Sequence, residues 1–163
     1  MGLDHPLAVK ILIPVQIVLA IISIPSGALL VYLPSGEAIG AQVILPHLTR
    51  SIPFIHDFTP VGIFLIGVYG FLPLLLSYGL WVQKRWAWIL TMLLGVGEIV
   101  WIATEVVIFY DLGFFFFYPI IAGMGVITLA LCVLPSVRKF YSMFGEEKST
   151  SRIHSKVASK PES

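Results

Sequence analysis

The chain is 163 residues long, 58% hydrophobic and only 12% charged, with a formal net charge of +1. Soluble domains sit near about 45–50% apolar and ~25% charged, so a water-soluble globule is excluded: a chain this short could not hide that much apolar surface, and lipid must cover it. The single cysteine, Cys132, excludes an intramolecular disulfide and bis-cysteine metal motifs, and reads as a small apolar packing residue.

A membrane-spanning helix takes ~20 mainly apolar residues to cross a ~30 Å hydrocarbon core. Four stretches meet that requirement. The first runs from about Val9 to Leu33, with no charge between Ile11 and Leu33. It is longer than the apolar core of a signal peptide, and its start carries Asp4 and one Lys10 instead of a basic cluster, so it is expected to be retained. Pro14 and Pro25-Ser26-Gly27 are expected to bend it, because each proline removes a backbone hydrogen bond.

An external loop follows at 34–59. Its segment Ile39 to Leu48 is apolar enough to lie along the outer interface or dip into it. His47, His56 and Asp57, with Asp111 from a later turn, would gather near the outer mouth. Histidine and carboxylate are ligand types for zinc or copper. Their spacing matches no ligand motif, and a solvated polar loop is the simpler account.

The second span runs from about Pro60 to Val82, with Thr59 as a candidate N-cap and Pro60 at the first helical position. Pro73 is expected to bend it. A tight turn bearing Lys84 and Arg85 leads to the third span, from about Trp86 to Tyr110. Asp111 and Gly113 make a short turn into the fourth, from about Phe114 to Leu134, which Pro135 stops. The pairs Gly67/Gly70 and Gly123/Gly125 offer small surfaces for close helix approach. Residues 1–137 therefore read as an all-α, four-helix transmembrane bundle. Residues 138–163 read as a basic cytoplasmic tail, rich in Lys, Ser and Glu and expected to be disordered. Its positive excess fits topogenic charge, with a weak contact to anionic lipid heads.

Orientation follows from the basic residues, which concentrate on cytoplasmic segments. Lys84 and Arg85 mark one turn, Arg138 and Lys139 the exit of the fourth span, and Lys10 the start of the first; the long loop has only Arg50. These agree on both termini in the cytoplasm, with the cell membrane as the default location. Trp81, Trp86 and Trp88 fall at the inner boundary, as aromatic belts do. The lipid bilayer is the first partner. No nucleic-acid signature, internal repeat or phosphate-binding loop is found.

Chemistry concentrates on the third span, where Glu98 and Glu105 lie seven residues apart. At ~100° per residue they share one stripe with Thr91, Leu94, Trp101 and Ile108. Glu98 falls near the bilayer centre, and Glu105 ~8 Å beneath the outer end. An acid at that depth costs ~3 kcal/mol or more, and no Lys, Arg or His lies inside the hydrocarbon to pair with it. The stripe is therefore expected to face the bundle interior, with Ser23, Ser26, Thr128 or Tyr69 as neutral partners. Three readings compete: protonated hydrogen-bond glue between helices; a proton, cation or cationic-ligand site that includes Trp101; and a seal against another subunit.

The hairpin Tyr78-Gly79-Leu80-Trp81-Val82-Gln83-Lys84-Arg85-Trp86-Ala87-Trp88 resembles the Gly-Leu-Trp-x-x-Lys-x-Trp-Ala-Trp turn of small, uncharacterised four-span membrane proteins of prokaryotes. The resemblance covers roughly eleven residues, with the four-span layout as support, and carries no activity. The His/Glu arrangement of four-span sterol isomerases is not reproduced, since all four histidines lie outside the spans. With no nucleophile–base pair and no cofactor to name, the leading expectation is a non-enzymatic structural or accessory subunit of a larger membrane assembly. A transporter-like or ligand-binding bundle using Glu98 and Glu105 comes second, and an intramembrane enzyme third.

Overall fold

The computed structural model describes residues 5–37, 40, 42–51, 55–108 and 117–142, and among these there is no strand. The helices are α1 (Leu7–Tyr32), α2 (Leu45–Ser51), α3 (Thr59–Trp81), α4 (Arg85–Ile108), α5 (Phe117–Val133) and α6 (Pro135–Ser142). Three of them, α1, α3 and α4, are long and apolar enough to cross a membrane; α5 and α6 make a fourth candidate if the pair is one span bent by 60°. The turn expected at Asp111 and Gly113, and the expected start of a span at Phe114, lie outside the described residues. Pro135 acts as anticipated: α5 ends at Val133, and proline opens α6, where its missing N–H costs nothing.

The prolines inside α1 and α3 are absorbed without a break. α1 stays one helix of 26 residues through Pro14 and Pro25. Ser26 Oγ donates to Ile22 O (2.8 Å) beside the second proline, and Ser77 Oγ of α3 reaches Ile13 O (3.4 Å) beside the first. In α3 the solution is different. Residues Leu65–Phe71 wind as a π-helix, and Leu72 N–H donates to Gly67 O five residues back. The wider turn makes room for Pro73, whose ring would otherwise meet the carbonyl four residues earlier.

The start of α3 also differs from expectation. Thr59 already lies in the helix, and its N–H is taken by Asp57 Oδ1 (2.8 Å), so Asp57 supplies the capping oxygen. At the other end the chain reverses through a Schellman motif: Gln83 N–H donates to Leu80 O (3.1 Å) and Lys84 N–H to Gly79 O (2.8 Å). Gln83 holds the left-handed position, φ 58°, that glycine usually takes.

Helices associate in lipid through close packing, because hydrocarbon tails offer no hydrophobic drive. α1 lies along α3, α4 along α5, and α1 also touches α5. A close crossing pairs Gly27 of α1 with Gly62 of α3: a Cβ on either would stand 2.6–2.7 Å from the other's carbonyl oxygen. Of the glycine pairs noted in the sequence, Gly70 and Gly125 make close contacts, whereas Gly67 and Gly123 face open space. The main core gathers Leu12, Leu76, Leu80, Ala87, Cys132 and Tyr141; Leu30, Ile44 and Phe58 form a second cluster where α2 and its approach cover the far end.

The expectation of disorder from 138 onward needs correction at its start. Val137, Phe140 and Tyr141 are buried at i, i+3, i+4 spacing, and that apolar stripe folds 138–142 into α6. Tyr141 Oη donates to Leu80 O (3.1 Å), a carbonyl of the last turn of α3 that also accepts Gln83 N–H, and His5 packs on both Trp81 and Phe140. The first turn of α1, the Lys84–Arg85 turn and α6 therefore share one end of the bundle. Residues 143–163 lie outside the described part of the chain.

Candidate functional site

The acidic stripe of α4 faces inward as its spacing requires. Thr91, Leu94 and Glu98 are buried, Trp101 and Glu105 are half-buried, and the side chain of Ile108 lies outside the described residues. Glu98 is 0% exposed, so within the chain alone it looks at neither lipid nor a second subunit. It packs against Gly125 of α5, whose missing side chain leaves room for it: a Cβ there would lie 3.0 Å from Glu98 Oε2. One turn along α5 sits Thr128, also fully buried, whose Cγ2 fills the space over Gly95.

The hydroxyl partners foreseen for Glu98 are otherwise disposed. Thr128 Oγ1 accepts a hydrogen bond from Gln16 Nε2 of α1 (3.1 Å), and Ser26 bonds within its own helix. Ser23 is buried on α1, and no bond joins it to the glutamate. Both carboxyl oxygens of Glu98 are buried without a hydrogen-bond partner, and so is Oε1 of Gln16. An unpaired buried polar atom costs ~1–3 kcal/mol. Three such oxygens lie buried in the bundle: two on α4 against Gly125, and one on α1, whose amide nitrogen bonds Thr128 three residues further along α5.

Glu105 is treated differently. It lies one turn beyond Trp101 on α4, close enough for the indole to act on its carboxyl. Trp101 stacks on Phe64 of α3 (centroids 4.9 Å apart, planes 21°) and meets Tyr69 edge-on at 6.4 Å. Tyr69 stands within electrostatic reach of both glutamates. An aromatic wall from α3 thus flanks the line from Glu98 to Glu105. Outside this wall, between α3 and α4, runs a groove of about 380 Å³ lined by Leu72, Leu93, Val100, Trp101 and Thr104 among others.

The candidate metal ligands His47, His56, Asp57 and Asp111 are only partly described. Among the described residues no three His, Cys, Asp or Glu side chains come together as a metal-ligand cluster. Asp57 is occupied as the α3 cap, His56 is exposed, and the His47 side chain and Asp111 lie outside the described residues. Lys84, Arg85, Arg138 and Lys139 are all exposed at the shared end of the bundle. Gln16 escaped the sequence reading, although a signal was present: it is the one amide side chain inside any span. No protein-family model matches the chain, and comparison with curated proteins and with solved structures gives no significant match.

Proposed function

We propose that the chain is a four-span membrane protein, with both termini and the Lys84–Arg85 turn in the cytoplasm, that takes up a proton or small cation at Glu98. One observation carries this reading: the Glu98 carboxyl is fully enclosed with neither oxygen hydrogen-bonded, and the Gln16 amide oxygen of α1 is likewise buried and unpartnered. A carboxyl kept only as interhelical glue would engage a neighbouring hydroxyl or carbonyl. An oxygen-only pocket suits a proton or a hard cation, not the softer transition metals. Glu105, ~10 Å further along α4 at 1.5 Å per residue, is the relay toward the outer end, with Trp101 one turn before it.

Dicyclohexylcarbodiimide, which modifies protonated carboxyls in apolar surroundings, provides the first test. It should label the wild type at Glu98, and liposomes carrying the protein should pass protons or a monovalent cation. Glu98→Gln keeps the shape and removes the titratable group. Flux that is equal in wild type and Glu98→Gln sinks the reading.

A second reading, the accessory subunit, draws support from the open groove between α3 and α4, an apolar channel on the bundle surface with Thr104 at its edge. Here Glu98 serves the bundle and a partner helix fills the groove. Mild detergent extraction discriminates. A monodisperse particle of this chain alone, with no enriched companion, removes the subunit reading.

A further inference from the structure

The end of the bundle opposite Glu105 holds a second cavity, of about 470 Å³, lined by Arg85, Trp88, Pro135, Arg138, Lys139 and Ser142. Its walls come from two distant stretches of sequence. The 60° bend after α5 swings α6 over the first turn of α4, where Tyr141 stacks on Trp88 with centroids 6.1 Å apart and planes 5° from parallel. Trp88 is fixed from behind as well, its Nε1 donating to Cys132 O (3.0 Å). Because Val137, Phe140 and Tyr141 turn inward, Arg138, Lys139 and Ser142 are left on the cavity side of α6, facing Arg85 at the start of α4.

Three exposed cations around one cavity make a natural seat for an anion. The acids among the described residues (Glu37, Asp57, Glu98 and Glu105) all lie in the outer loop or further along α4. Positive charge needed only to orient the spans could sit anywhere on that side; topology does not require it to converge on one open cavity. Guanidinium forks match phosphate oxygens in geometry as well as charge. Exposed Trp81 and Trp86 close by mark the depth at which headgroups lie. The geometry points to a phosphate-binding site: Arg85, Arg138 and Lys139 hold a phosphate group, such as that of an anionic phospholipid headgroup, against the rim of Trp88. The inference is independent of the reading of Glu98.

The test uses the full chain in detergent, titrated with short-chain phosphatidic acid, short-chain phosphatidylcholine or inorganic phosphate, and followed by thermal stabilisation and native mass spectrometry. Phosphatidic acid should bind to the wild type, and the triple variant Arg85→Gln, Arg138→Gln, Lys139→Gln should bind on the order of 100-fold more weakly. Should that variant fail to fold, Lys139→Gln alone should lose about fivefold. The double variant Arg152→Gln, Lys156→Gln removes two charges from the sequence after Ser142, neither of them lining the cavity, and should bind as the wild type does. Inorganic phosphate binding as well as the lipid assigns the site to free phosphate; phosphatidic acid well ahead assigns it to a headgroup. Equal binding of phosphatidylcholine and phosphatidic acid with no binding of phosphate, or undiminished binding by the variants, overturns the proposal.

Discussion

A Cβ on Gly125 would stand 3.0 Å from the Cβ of Glu98 and 3.0 Å from its Oε2. The carboxyl is thus seated in the space that a glycine leaves, and the same close approach brings the Gly125 and Gly95 backbones together. Gly125→Ala is expected to destabilise the bundle by about 1–3 kcal/mol, the usual cost of overpacking. Much of that should depend on the carboxyl. In a double-mutant cycle with Glu98→Ala, measured by denaturant unfolding in detergent, the two changes should couple by roughly 0.5–3 kcal/mol. Strict additivity would show that they do not share the site.

The glycines separate into two classes that the sequence does not distinguish. Gly62→Ala places a methyl 2.7 Å from Gly27 O, a backbone atom that cannot swing aside. A loss of about 1–3 kcal/mol is expected. Gly123→Ala meets nothing within 4 Å, so it should be neutral or gain roughly 0.5–1 kcal/mol from reduced backbone freedom. Thermal unfolding of the two variants side by side checks the contrast, which would vanish if α1 and α3 did not cross at Gly27.

What could be read from the residues was periodicity; what could not was contact. The inward stripe Thr91–Leu94–Glu98 follows from helical spacing and the cost of charge in lipid, and the structure places it inside. The three longest helices lie close to the anticipated spans for the same reason. The partner of Gln16, the Gly27–Gly62 crossing and the basic cavity each depend on which helices become neighbours, and a single chain's pattern does not encode that. The π-turn before Pro73 was hidden differently: proline announces a disturbance, but not whether the helix will bend or widen.

Tyr141 ties the C-terminal helix to the α3–α4 turn. Tyr141→Phe keeps the ring stacked on Trp88 and removes only the bond to Leu80 O. It should cost about 0.5–1.5 kcal/mol. Tyr141→Ala empties a fully buried site and should cost about 3–5 kcal/mol, and should release α6 to proteolysis beyond Leu134. Limited digestion of the reconstituted protein reads this directly. Equal resistance of the Ala variant and the wild type would mean that α6 is held by something else.

Gln16 allows stability and function to be pulled apart. Its bond to Thr128 is one interhelical hydrogen bond, worth ~0.6 kcal/mol on average in lipid. Its unpartnered Oε1 sets against that a cost of ~1–3 kcal/mol. Gln16→Leu removes both, and Thr128 can turn its hydroxyl to the preceding turn of α5, as Thr91 already does toward Ala87 O in α4. On packing grounds alone the leucine variant should therefore be as stable as the wild type, or up to about 1 kcal/mol more so. If the amide oxygen belongs to a proton or cation site with Glu98, the same variant should lose Glu98-dependent flux while its stability holds or rises. Unfolding and liposome flux, measured on one preparation, decide the matter: a more stable protein with undiminished flux removes Gln16 from the site.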